Sequence, residues 1–174
     1  MGVNLYLCVN MELRISKPSE VLRELYELSF PPEERRDWFR LPLDTPAFKL
    51  MAIVDEASGD EIGLITVWQF EGFSYVEHFA VNPNLRGAGL GSKVLEQLQG
   101  PVILEVEPVG STPEAERRIR FYERNGFRVL DVHYVQPPYS PGLPELELRL
   151  MLRGDIADID KAIKTIHKNV YNKV

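Results

Sequence analysis

Apolar positions along this chain switch between a period of two and a period of three to four, and each switch marks an element. Residues 12–15 read as a first strand. Pro18 suits a first helical turn, and Val21, Leu22, Leu25 and Leu28 form an apolar stripe behind it. Pro31-Pro32-Glu33-Glu34 opens a second short helix through about Phe39, with acids at its positive end. Residues 48–54 and 62–70 read as strands, joined by the hairpin chemistry of Ala57-Ser58-Gly59-Asp60. Glu71-Gly72 turns the chain into a third strand, 75–81. A helical run over 90–99 ends at Gly100-Pro101, before a buried strand over 102–106. Thr112-Pro113-Glu114 starts a helix whose apolar face is Ala115, Ile119 and Tyr122. Asn125-Gly126 stops it, with Gly126 in the left-handed position after the cap. Strands over 128–135 and 146–152 follow, joined by the proline-rich loop 136–144. This order predicts an α/β (α+β) fold with a mixed, mostly antiparallel sheet flanked by helices.

Ile156, Ile159, Ile163, Ile166 and Val170 step by three and four residues, so 153–174 carries an amphipathic helix. Asp155 and Asp158 at its start and Lys164, Lys168 and Lys173 towards its end match the helix dipole. It packs on the sheet of the main domain, residues 11–152, or forms a homodimer contact. Residues 1–10 are an added strand or an extension ahead of a start at Met11.

The 174 residues are the size of one domain, and 44% are hydrophobic, enough for a core. A net charge of −6 gives no electrostatic support to a nucleic-acid role and mildly favours a cationic substrate. The single cysteine, Cys8, excludes an internal disulfide framework and fits a reducing cytoplasm. No apolar run approaches the roughly 20 residues that span a bilayer, and residues 3–9 lack the basic flank of a signal peptide. Neither a membrane nor a nucleic acid is therefore expected as partner.

The most informative stretch is Arg86-Gly87-Ala88-Gly89-Leu90-Gly91, between a strand and a helix. Glycines let the backbone turn tightly and come close to a ligand. The helix that follows directs its first N–H groups at that turn, a setting that suits a phosphate or pyrophosphate. Arg86 adds a positive charge. A P-loop is excluded, because Gly91 is followed by Ser92-Lys93 in the wrong order. A dinucleotide fingerprint from Gly87 would need glycine where Ser92 stands, and that motif usually follows a first strand. What remains is Arg-x-x-Gly-x-Gly.

About 30 residues downstream lies Arg120-Phe121-Tyr122-Glu123-Arg124-Asn125-Gly126-Phe127, with Leu104-Glu105-Val106 between. Together, "FAVNPNLRGAGLGSKVLEQL" and "ERRIRFYERNGF" resemble the acyl-CoA signature and the following helix of the GNAT N-acetyltransferase family. The resemblance directly covers about residues 75–130. It implies that acetyl-CoA is the co-substrate and a small-molecule or peptide amine the acceptor. It also implies that backbone from Leu85 through Arg86, Gly87, Ala88, Gly89, Leu90 and Gly91 to Ser92 holds the pyrophosphate. The pantetheine arm would run along Phe79, Ala80 and Val81, with the Phe79 N–H as donor to the thioester oxygen. Tyr122 would serve as acid to the leaving thiolate.

For the base there are two carboxylates, Glu105 and Glu77, each set within an otherwise apolar strand where a charge needs a reason. Strand alternation places Glu77 with Tyr75 and Phe79, and His78 on the other face. His78 is a third candidate base. It forms no metal-ligand spacing with His133 or His167, so no metal is expected. On the acceptor side, Trp38 and Tyr139 are candidates to line a pocket, and Arg36, with Arg35, to hold a carboxylate or phosphate. An N-acetyltransferase is the leading reading. The alternative is a non-catalytic acyl-CoA sensor or scaffold, which would need the glycine loop but neither Tyr122 nor a base.

Overall fold

One sheet of eight strands organises the computed structural model, which describes residues 10–173. The expected strand or extension at the N-terminus falls, except for Asn10, outside the described residues. The strands are β1 (Met11–Ile15), β2 (Phe48–Asp55), β3 (Glu61–Phe70), β4 (Phe73–Val81), β5 (Val102–Val106), β6 (Arg128–Val129), β7 (Tyr134–Gln136) and β8 (Leu146–Arg153). The spatial order is β1-β2-β3-β4-β5-β8-β6, with β7 also pairing to β8. Only β4 and β5 run parallel, and every other pairing is antiparallel. Their crossover carries the glycine loop and a helix, as a parallel pair requires.

Among the described residues, four helices cover the two faces: α1 (Glu20–Ser29), α2 (Leu90–Glu96), α3 (Pro113–Arg124) and α4 (Ile159–Val170). On one face Leu22 and Tyr26 of α1 and Ala162, Ile166 and Val170 of α4 join Leu50, Leu64, Trp68, Tyr75 and Ile103 in one core. On the other, Leu90, Val94, Ile119 and Tyr122 of α2 and α3 pack with Ile65, Val67, Val76, Leu104 and Val106. The alternation of β5 feeds both cores, as the two-residue period dictates. Ser19, Thr112 and Asp158 cap α1, α3 and α4, each accepting a hydrogen bond from a first-turn N–H.

Several expected elements change. Pro18 precedes the Ser19 cap and lies outside α1, and the buried stripe is Leu22 and Tyr26, while Val21 and Leu28 are exposed. The second helix is instead two 3₁₀ turns, Pro32–Glu34 and Trp38–Arg40, because the chain between them is extended at Arg35. The helix after the glycine loop stops at Glu96. The strand expected over 128–135 is broken into β6 and β7, which take successive stretches of the same β8 edge. The final helix begins at Ile159, leaving Ile156 in the segment before it.

Candidate active site

The site starts from a fault in β4. Thr66 of β3 pairs with His78, yet Val67 pairs with Val76, so Glu77 is the extra residue of a β-bulge. The bulge turns both Glu77 and His78 towards the α1/α4 face, where Glu77 meets Trp68 and His78 meets Tyr26. Phe79 returns to the α2/α3 face, beside Gly91. Strict alternation had grouped Glu77 with Phe79 and set His78 opposite; the bulge overturns that. Two adjacent polar residues inside an apolar strand were the available sign of it.

The second break lies between β4 and β5. Their ladder runs only from Ser74–Val102 to Val76–Leu104. Beyond it β4 continues to Val81 and β5 to Val106 unpaired with each other, and a cavity of about 650 Å³ opens in the gap. It reaches both faces of the sheet. Phe79, the glycine loop, Phe121 and Tyr122 line one half, and Phe30, Glu34, Glu105, Gln136 and Tyr139 line the other.

In the glycine-loop half, backbone does most of the shaping. Gly87 and Gly89 have φ of 85° and 76°, the left-handed region that a side chain disfavours. Gly89 is also the N-cap of α2. Gly91 serves another purpose: a Cβ there would lie 2.8 Å from the Phe121 ring, so glycine lets α2 approach α3. Leu85, Arg86, Gly87, Gly89, Leu90, Gly91 and Ser92 line the cavity with Ala80 and Val81, and Ala88 is exposed in the same loop. Arg117 pairs with Glu114 at 2.7 Å and Arg118 pairs with Glu107. Arg86 and Arg124, also on the wall, make no ion pair among the described residues. A left-handed glycine turn, an unpaired strand edge and two arginines suit a phosphate-bearing ligand with an extended arm.

Tyr122 stands where that half meets the gap. Its ring packs on Phe121 and Phe127, at 5.2 and 5.6 Å between centroids. No hydrogen bond among the described residues reaches its hydroxyl. Burial pushes that hydroxyl up to about 12, Glu107 adds to the rise and Arg118 opposes it.

The other half holds the buried charge. The Glu77 carboxylate is wholly buried, with Arg36 Nε donating to one oxygen and Trp68 Nε1 to the other, both at 2.7 Å. Arg36 also donates to the Val170 carbonyl at 2.5 Å and lies between the rings of Trp68 and Tyr139. Its guanidinium is held by Glu77 and the Val170 carbonyl and does not line the cavity, contrary to the expectation of a free acceptor ligand. Arg35 is likewise held, donating to the Glu27 and Phe30 carbonyls. Trp38 is buried against Tyr26 and also lies off the cavity wall, because an indole at that depth belongs to the apolar core. Of the four expected acceptor residues, Tyr139 alone is on the wall.

Glu105 lies in a cage of phenols. Tyr134 donates to its Oε1, and the Tyr171 hydroxyl lies 3.2 and 3.1 Å from its two oxygens. Tyr75 bonds the Tyr171 hydroxyl at 2.9 Å. Burial raises the Glu105 carboxyl to about 7, against the lowering effect of these donors. His78 is buried with Nε2 2.9 Å from the Glu34 carbonyl, which can only accept, so Nε2 carries the proton. Nδ1 then accepts from Thr66 Oγ1 at 3.3 Å. Burial lowers its pKa, leaving the ring neutral. Three buried polar atoms on the cavity's lining residues lack a protein partner: Ser29 Oγ, Glu107 Oε2 and Gln136 Nε2. Burial raises Glu34, and nearby Glu107 raises it further. Gln136, Glu34 and the tyrosine cage escaped sequence reasoning, because nothing local links residues 34, 75, 105, 136 and 171.

A family model described as an acetyltransferase (GNAT) domain matches residues 49–129, the segment that contains the bulge, the gap and the glycine loop. A solved structure from Bacteroides thetaiotaomicron, titled a putative acetyltransferase from the GNAT family, is 38% identical. The alignment covers 89% of this chain and 92% of that one, with a TM-score of 0.80. The chain belongs to the GNAT family. Its eight-stranded sheet and flanking helices are thus a GNAT fold. A curated relative, Putative acetyltransferase YjbC of Bacillus subtilis (strain 168), is 39% identical over 64 residues. That match spans 34% of this chain and only 33% of YjbC. A GNAT acetyltransferase from Elizabethkingia anophelis, solved with acetyl-CoA bound, shares the fold at 14% identity and a TM-score of 0.56. It covers 84% of this chain and 99% of its own. No helix among the described residues is long and apolar enough to cross a membrane.

Proposed function

We propose that this protein transfers the acetyl group of acetyl-CoA directly to an amine of a small molecule or peptide. The carrying observation is the cavity through the sheet, with a glycine loop and Tyr122 at one end and buried acids at the other. The acetyl-CoA seen in the Elizabethkingia relative supports the choice of co-substrate. The reading takes residues 11–152 as the catalytic domain with 153–174 appended, in a cytoplasmic protein with no metal, nucleic-acid or membrane role.

Arg86, Gly87, Ala88, Gly89, Leu90, Gly91 and Ser92 hold the pyrophosphate through backbone N–H groups, and the free edge of Phe79, Ala80 and Val81 receives the pantetheine arm. The acceptor enters from the other face, where Tyr139 and the unpartnered polar atoms of Ser29, Glu107 and Gln136 offer it hydrogen bonds. Glu34 favours an ammonium there. Bound acetyl-CoA supplies an activated acyl carbon for the amine nitrogen. Glu105 takes the proton that the ammonium must lose, its raised pKa suiting a base near neutrality. Glu77, with both oxygens engaged, instead holds Arg36 in place. Tyr122, at about 12, is a weak proton source for a thiol of ordinary pKa about 8.5. It therefore acts by hydrogen-bonding the departing sulfur as charge builds there.

Acetyl-CoA should raise the melting temperature by linkage and release free thiol in the presence of an accepted amine. Gly89→Val, which forces a β-branched residue into φ of 76°, should abolish the shift while the unliganded protein stays folded. No thermal shift and no calorimetric heat at millimolar acetyl-CoA would reject the reading. A thermal shift without thiol release from any amine would favour the sensor alternative.

A further inference from the structure

We propose that the C-terminal helix completes the active site: Tyr171, at the end of α4, is a positioning residue that fixes the Glu105 carboxylate for proton removal. The proposal rests on the acetyl-transfer reading above. α4 lies outside the segment matched by the family model, and its end reaches both buried carboxylates. The Val170 carbonyl holds Arg36, which holds Glu77, and one residue later the Tyr171 hydroxyl spans both oxygens of Glu105.

The hydrogen-bond directions support positioning rather than saturation. A phenol has one proton to give. Tyr134 donates its proton to Oε1, and Tyr171 donates to the carboxylate while Tyr75 donates to Tyr171. Two donors occupy two of about four lone-pair sites on an ionised carboxylate, so room remains for an incoming proton. Glu105 is on the cavity wall and Tyr171 is not, so Tyr171 acts through Glu105 rather than on the acceptor. Around Glu105 stand Tyr75 and Glu77 of β4, Tyr134 of β7, Tyr139 of the following loop, and Tyr171. Leu150 of β8, its cross-strand partner, is apolar. His167 of α4 lies behind Tyr134, 5.3 Å between ring centroids, and Arg36 is bound to Glu77. Tyr171 is thus one of the few donors that stabilise the ionised form of Glu105.

Tyr171→Phe in the full chain removes that donor and leaves the ring. Two measurements test it. In the first, a carbon-13 NMR titration of the Glu105 carboxyl, the midpoint should move up by about half to one pH unit. In the second, thiol release from acetyl-CoA is followed with n-butylamine, 1,4-diaminobutane and lysine amide. The acidic limb of kcat/KM should move up by the same amount, and kcat should fall roughly tenfold, with acetyl-CoA affinity unchanged. A purely structural role would lower the melting temperature and leave both pH midpoints in place, which would overturn the proposal. A moved NMR midpoint with an unmoved kinetic limb would overturn the link to catalysis. No thiol from the wild type with any of the amines would instead sink the acetyl-transfer reading, and the positioning role with it.

Discussion

The two faces of the sheet are built from different materials. On the α2/α3 face the core is Ile, Val, Leu, Met and Phe with the single tyrosine Tyr122, and the cavity wall owes its shape to glycine backbone. On the α1/α4 face the core contains Glu77, Arg36, His78, Glu105 and five tyrosines, Tyr26, Tyr75, Tyr134, Tyr139 and Tyr171. A backbone cradle binds what any pyrophosphate presents, so one short segment suffices to make it. A buried polar network needs each partner satisfied, and here its members come from α1, the stretch between the two 3₁₀ turns, β3, β4, β5, β7 and the loop after it, and the end of α4. On the proposed acetyl-transfer reading, the first face does the general chemistry, and the second is where an acceptor would be distinguished.

If that contrast holds, breaking a pair on the polar face should do the most damage. Arg36→Met leaves the wholly buried Glu77 without its cation and the Val170 carbonyl without its donor. Urea unfolding should show a loss of about 3–5 kcal/mol, the range for an orphaned buried charge. A loss below about 1 kcal/mol would mean that the network is looser than its geometry implies.

The same contrast explains what could be read from the sequence. The glycine loop, the Thr112 cap and the Asn125-Gly126 stop are local signals, and each stands where expected. Most of the succession of strands and helices along the chain followed from periodicity. The acceptor side was largely illegible, because a carboxylate in an apolar strand says that a partner exists without saying where. Trp38 and Arg36 were expected at a pocket and lie behind it. Tyr171, 66 residues from Glu105, looked like the tail of an amphipathic helix. The bulge at Glu77 depends on pairing with β3, which alternation alone does not specify.

Tyr122→Phe sharpens the comparison from the apolar face. With no hydrogen bond to the Tyr122 hydroxyl among the described residues, its removal should leave stability and acetyl-CoA affinity intact. Turnover should fall by roughly 10²-fold, as for lost acid or electrostatic assistance. An unchanged rate, measured where chemistry limits, would make Tyr122 a packing residue and leave the thiolate to depart unaided.

Two glycines separate backbone from packing on the same face. Gly91→Val would drive a side chain into the Phe121 ring and should cost about 1–3 kcal/mol as overpacking. Gly89→Ala meets nothing within 4 Å and should cost only the left-handed strain, about 1 kcal/mol. Thermal unfolding of the two without ligand should rank them in that order. Equal losses would mean that α2 slides away from α3 freely, and that Gly91 has no packing role.

The smallest net effect is the pH dependence of the wild type, in which two buried groups of the polar face act with opposite signs. Glu105 has a folded pKa of about 7 against an ordinary 4.5. Between those values the folded protein binds more protons than the unfolded chain, so Glu105 makes stability fall as pH rises. His78 has a folded pKa below its ordinary 6.5. Below 6.5 the unfolded chain takes up a proton that the folded ring resists, so His78 makes stability fall as pH falls. In the overlap the slopes oppose, and the wild type should change little between pH 5 and 6.5. Glu105→Gln should leave the His78 slope, with stability rising towards pH 6.5. His78→Gln should leave the Glu105 slope, with stability falling from pH 5 to 7. Urea midpoints at pH 5, 6 and 7 resolve the two. If both variants keep the wild-type slope, folding shifts the pKa of neither group, and the near-neutral base on which the polar face depends is lost.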